Sequence, residues 1–115
     1  MDTGPYHDKV ELLKALAHPT RLCIVHGLVS RGECNVSGIQ HCLEMPQSTV
    51  SQQLAILKLK GIVRSERSGT EVRYSVGNDK AREIVSVLFE NDVPFVWDKA
   101  QKGSASTGRA GDGRQ

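Results

Sequence analysis

Between Pro46 and Leu57 the chain reads PQSTVSQQLAIL, and this segment constrains the fold more than any other. Pro46 ahead of a run of small polar residues marks a helix start, since proline's fixed φ and missing N–H suit a first turn. Val50, Leu54 and Leu57 then recur at helical spacing, with Ala55 and Ile56 widening the apolar stripe. The other face carries Gln47, Ser48, Thr49, Ser51, Gln52 and Gln53, with no acidic residue among them, and Lys58 and Lys60 follow. Such a face suits the DNA major groove. Glutamine pairs with two atoms of adenine, serine and threonine reach phosphate or base edges, and lysine neutralises phosphate. Polar faces of amphipathic helices are more often simply solvated, so the flanking chain has to decide.

Upstream, residues 35–43 read as a short helix with Ser37 as its N-cap and Val36, Ile39 and Leu43 on one face. The link Glu44-Met45-Pro46 leaves room only for a tight helix-turn-helix connection. Downstream, Gly61 stops the second helix, because the residue after a helix commonly adopts the left-handed conformation. Strand-like runs follow at 62–67 and 71–76, joined by Ser68-Gly69-Thr70. In the second, Val72, Tyr74 and Val76 alternate with Glu71, Arg73 and Ser75. A helix-turn-helix followed directly by a basic hairpin is a winged helix. From Gln47 to Ser75, Lys58, Lys60, Arg64, Arg67 and Arg73 outnumber Glu66 and Glu71, although the whole chain carries only +2. The candidate DNA contacts are therefore Gln47, Ser48, Thr49, Ser51, Gln52, Gln53, Lys58, Arg64, Arg67, Thr70 and Arg73.

The remaining chain reads as mostly α. Residues 1–5 are expected to fray, and 8–18 form a helix with Val10, Leu13, Leu16 and Ala17 on one face. Pro19 opens a second helix to about residue 29, with Leu22, Val25, Leu28 and Val29 turned inward. Residues 30–33 read as a loop. Asn78 or Asp79 caps a last helix over 80–90, where Ala81, Ile84, Val85 and Leu88 form a stripe and Val87 and Phe89 add apolar surface beside it. The expected domain is 6–92, followed by an extension at 93–100 and a Gly/Ser-rich disordered tail at 101–115. With 38% hydrophobic residues and 4% aromatics, a monomer's core would be thin, which favours a core shared across a dimer.

Three stretches also resemble one family. LLKALAHPTRL (Leu12 to Leu22), STVSQQL (Ser48 to Leu54) and GIV followed by RSGTEVRY (Gly61 to Tyr74) are similar to the signatures of ArsR/SmtB-type repressors. The resemblance runs in order from about Val10 to Phe89 and implies a dimeric winged-helix transcription factor. It also implies that the first and last helices pack against their symmetry mates, giving Leu13, Leu16, Ile84, Val85, Leu88 and Phe89 as interface residues. One departure is Gln53, where many members carry histidine.

The family's metal sites do not carry over. Its ELCVCDL sequence aligns with residues 33–39, where Asn35 and Ser37 take the two cysteine positions and Cys34 falls on a leucine. A soft thiophilic ion needs convergent sulfurs. The second site needs Asp and His at the last helix, where this chain has Asn78, Lys80 and no histidine over 81–90. His7, His18, His26 and His41 show no ligand spacing and read as structural. No metal and no cofactor are expected. Cys23 reads as a core residue and Cys42 as partly buried, with Cys34 the most exposed, so Cys34 and Cys42 are the candidate redox pair.

The function expected is a homodimeric, sequence-specific repressor whose partner is double-stranded DNA with a palindromic operator. No apolar run approaches membrane-spanning length and the N-terminus is polar, so the protein is expected in the cytoplasm, on the nucleoid when bound. There is no paired carboxylate, no nucleophile beside a base and no Gly-rich phosphate loop, so an enzyme is not expected. Two alternatives stand beside the main reading. One is a repressor responding to oxidants or soft metals through its cysteines; the other is a winged helix that has exchanged DNA for protein partners.

Overall fold

Side-chain caps and prolines set where the helices begin. In the computed structural model, which describes residues 1–90, the elements run α1 (Gly4–Leu16), α2 (Pro19–Arg31), β1 (Cys34–Asn35), α3 (Val36–Leu43), α4 (Gln47–Leu59), β2 (Val63–Ser68), β3 (Glu71–Val76) and α5 (Asp79–Leu88). The expected extension at 93–100 and tail at 101–115 lie outside the described residues. His18 is extended ahead of Pro19, and its Nδ1 accepts the Thr20 N–H at 3.2 Å, so α1 ends at Leu16 rather than at His18. Asn78 Oδ1 accepts from Ala81 N–H at 2.9 Å and starts α5. Asn35, not Ser37, caps α3: its Oδ1 accepts from Gly38 N–H at 2.8 Å. Ser37 lies exposed in the first turn. At the other end of the chain, α1 begins already at Gly4, with proline in its first turn, so the expected fraying through residue 5 gives way to helix.

The hairpin pairs antiparallel from Val63↔Val76 to Ser68↔Glu71. A third strand, over Cys34 and Asn35, where the sequence suggests a loop end and a helix start, joins its outer edge. β1 pairs with β3 through Cys34↔Tyr74 and Asn35↔Arg73, giving the order β1-β3-β2. Two residues are too few to show a strand periodicity, which is why the run carried no signal.

α2 is the centre of the packing, touching α1, α4, α5 and β3. Its Ile24, Val25 and Leu28 are sealed from solvent together with Ile39 of α3, Val50, Leu54 and Leu57 of α4, Ile62, and Val85 of α5. Two expected interface residues are thereby reassigned. Leu16 (4% exposed) and Val85 (0%) belong to this chain's own core, because the last turn of α1 and the inner side of α5 close over α2. Phe89 is half-buried and stacks on His26, ring centroids 3.9 Å apart, so it too has a partner within the chain. Leu13 and Leu88 remain about half exposed, at 54% and 51%, and Ile84 is partly covered.

Gly38 is required by close approach. A Cβ there would lie 2.6 Å from Cys34 Sγ and 3.2 Å from the capping Oδ1 of Asn35. Gly38→Ala is expected to cost about 1–3 kcal/mol of stability, as overpacking does. Urea unfolding should show a smaller loss for the same change in a Cys34→Ala background, where the clashing sulfur is gone.

Candidate nucleic-acid interface

The turn between α3 and α4 is closed by Glu44, a non-glycine residue held left-handed at φ 56°, ψ 47°, whose N–H donates to the Gln40 carbonyl at 2.8 Å. That conformation is disfavoured for an L-residue and is held here by the packing of the two helices on either side. Pro46 then offers its carbonyl to the N–H groups of Thr49 and Val50, at 3.1 and 3.2 Å, and launches α4. Val50, Leu54 and Leu57 face inward, so Gln47, Ser48, Ser51 and Gln52 are exposed, with Thr49 half-buried at the margin. Gln53 is also half-buried, and its Oε1 accepts from the Arg21 guanidinium of α2 at 3.0 Å. Nothing in the sequence pattern had signalled that link.

The wing sorts its cations onto two faces. Residues alternate along a strand, so Val63, Ser65 and Arg67 share one side of β2 while Arg64 and Glu66 share the other. Lys58 of α4 donates to Ser65 Oγ at 2.7 Å, which identifies the first side as the one turned to the recognition helix. Arg67 is exposed on that same side, and Thr70 is exposed at the tip. Arg64 is exposed on the opposite side, its stem lying along Gly77.

Arg73 departs from its expected role. It is placed opposite Glu66 on the outer face, donates to Glu33, and reaches Glu71 at 2.5 Å. Glu71 also accepts from Asn35 Nδ2 at 2.8 Å, so the group ties β1 to β3. The Asn35 hydrogen bond and then Arg73 hold the Glu71 carboxyl below its ordinary value, and Glu33 and Glu71 raise Arg73 in turn. A cation so engaged is a strut of the wing before it is a phosphate contact. Glu33, in the loop between α2 and β1, is part of this strut.

The thiols also differ from expectation. Cys34 is buried (7%) rather than the most exposed, since β1 pairing turns it under the sheet against Gly38, whereas Cys23 is half-buried. Cys42 is buried as well, and burial pushes its thiol up, with Arg31 opposing and Cys34 adding to the rise. A covered thiol whose burial favours the protonated form, as at Cys42, is a poor nucleophile. Asn35 is occupied in capping α3 and binding Glu71.

A three-stranded sheet behind a helix-turn-helix, with an uncharged hydrogen-bonding face on the second helix, defines a winged-helix DNA-binding regulator rather than an enzyme. Residues 18–65 match the model of the bacterial regulatory proteins of the arsR family. The transcriptional repressor PagR of Bacillus anthracis is 43% identical over 81 residues, covering 70% of this chain and 81% of PagR. Its crystal structure superposes with a TM-score of 0.70 at 40% identity, covering 76% of this chain and 99% of that one. A biofilm growth-associated repressor of Agrobacterium fabrum is 38% identical over 78 residues, 68% of this chain and 66% of the relative. The transcriptional repressor BigR of Xylella fastidiosa superposes with a TM-score of 0.70 at 34% identity, covering 77% and 90%. The chain belongs to the arsR family of bacterial regulatory proteins. No helix among the described residues is long and apolar enough to cross a membrane.

The Glu71 strut predicts an acid limb in stability. Because the carboxyl is held below its ordinary value of 4.5, its contribution is complete above that pH and is lost as pH falls through the lower folded value. Urea midpoints followed from about pH 6 to about pH 3 should fall less steeply for Glu71→Gln than for the unmodified chain.

Proposed function

We propose that two copies of this chain pair and repress transcription by reading a palindromic operator, each recognition helix entering a major groove and each wing lying on the adjoining backbone. The observation that carries this reading is the exposed, acid-free face of α4 beside a wing that presents Arg67 on the same side. Gln52, Gln53, Ser48 and Ser51 are the base-reading candidates, Lys58, Arg67 and Thr70 the backbone ones, and Gln47, Thr49 and Arg64 the flanking contacts. Such a protein works where the chromosome lies, in the cytoplasm.

Pairing is supported by what the core leaves uncovered. Tyr6, Val10 and Leu13 are exposed at helical spacing along α1, and Val87 and Leu88 are exposed on α5. Apolar stripes of this kind on the first and last helices suit an isologous twofold contact. Zinc, cadmium and arsenite would leave the DNA complex intact on this reading, since Asn35 and Ser37 replace the thiolates of one site and Asn78 and Lys80 occupy the other.

Gel shifts against duplexes selected from a random pool test the DNA reading. Arg67→Ala should lower the salt slope by about one unit, while Arg73→Ala should leave the slope nearly unchanged and lower stability instead. Gln52→Ala should relax preference at one position, at a cost of about 1–3 kcal/mol on the preferred duplex. Equal loss on preferred and random DNA would remove Gln52 from base reading.

Leu88→Asp would bury an unpaired charge between subunits. Sedimentation should show a dimer for the unmodified chain and a monomer or unfolded species for the variant. A micromolar monomer of the unmodified chain would sink the dimer.

A further inference from the structure

Arg21 lies outside the helix-turn-helix yet touches its reading helix. Its Nε donates to the Ala15 carbonyl at 2.6 Å, one terminal nitrogen sits 3.5 Å from the Lys14 carbonyl, and the other donates to Gln53 Oε1 at 3.0 Å. The first two acceptors belong to the last turn of α1, whose negative dipole end favours a cation, the Lys14 carbonyl also accepting from Ala17 N–H at 3.2 Å. The guanidinium is therefore anchored from behind. It has hydrogens to give and no lone pair to receive, so only the oxygen of the Gln53 amide can face it. The planar amide then holds its NH2 away from Arg21, on a residue that is half-buried on α4.

We propose that Arg21 is a positioning residue that makes Gln53 a hydrogen-bond donor toward DNA, so that the chain prefers guanine or thymine to adenine or cytosine at the base Gln53 meets. This rests on the reading of α4 as the groove-entering helix. A free glutamine recognises adenine with both ends of its amide, donating to N7 and accepting from the N6 amino group. With the oxygen held by Arg21, the accepting half of that pair is withdrawn. A lone NH2 meets two acceptors at guanine, N7 and O6, and one at thymine, O4; at adenine it keeps only N7, beside an N6 amino group left without its acceptor, and at cytosine it meets only an amino group. The reversal changes the base expected from the residue type alone.

Selection from a randomised duplex pool with the full chain tests this without a known operator. The unmodified chain should enrich a symmetric motif in which one position of each half favours guanine or thymine by about fivefold or more, the lower end for one good base contact. Gln53→Glu keeps one oxygen for Arg21 and turns a second oxygen outward, so the same position should invert to cytosine or adenine while the rest of the motif persists. Arg21→Met should release the amide and admit adenine there. A merely structural Arg21 would weaken all sequences alike and leave the base preference unmoved. Should Arg21→Met fail to fold, Gln53→Glu decides alone. Adenine at that position with the unmodified chain, or a motif unchanged by Gln53→Glu, would overturn the proposal while leaving operator reading intact. Failure to enrich any motif would remove the operator reading and this proposal together.

Discussion

The burial of α2 is the constraint on which the rest of the molecule depends. Ile24, Val25 and Leu28 are almost wholly removed from water and meet side chains from the helices on either side and from the sheet. Interiors are close-packed, so the stripe Val50, Leu54 and Leu57 can seat on this centre in only one rotation of α4. That rotation sends the serines and glutamines outward. The reading face is thus a by-product of core packing, and the left-handed Glu44 between the two helices shows that packing overrides local backbone preference.

Electrostatics then divides the basic residues by task. Counting cations in the hairpin overstates what is offered to a phosphate backbone, because Arg73 is neutralised by Glu33 and Glu71. Likewise Lys60 donates to Glu11 of α1 at 2.9 Å, an exposed pair that lowers the Glu11 carboxyl and joins the end of α4 to the first helix. Such exposed pairs contribute little to stability singly, yet they set which charges point at a ligand. Arg67 and Lys58, on the side shared by the helix and the wing, pair with no carboxylate among the described residues.

The same economy of surface bears on assembly. The core takes in Leu16 and Val85 and gives Phe89 a partner in His26, while the stripe on α1 and the outer side of α5 stay apolar and uncovered. A domain this small cannot cover every apolar side chain it carries. Apart from Met1 and from Leu59 at the end of α4, the large apolar residues left outside lie on its first and last helices.

Periodicity and punctuation determined a good deal by themselves. The recognition helix, its proline start and glycine stop, the hairpin and the apolar stripe of α5 were all legible, since each rests on neighbours within a turn or a strand. Even so, the cap of α3 went to Asn35 rather than Ser37, two candidates that local chemistry ranks alike. What only the tertiary structure decided are contacts between residues far apart in sequence: Arg21 with Gln53 across 32 positions, Asn35 with Glu71 across 36, and Arg73 with Glu33 across 40. Those contacts engage Arg73 with two carboxylates, fasten β1 and its buried Cys34 to β3, and fix the amide oxygen of a glutamine that the sequence offers only as a DNA-contact candidate. The physical reason is that a side chain's type states what it can bond, whereas the folded chain decides which bonds are already made.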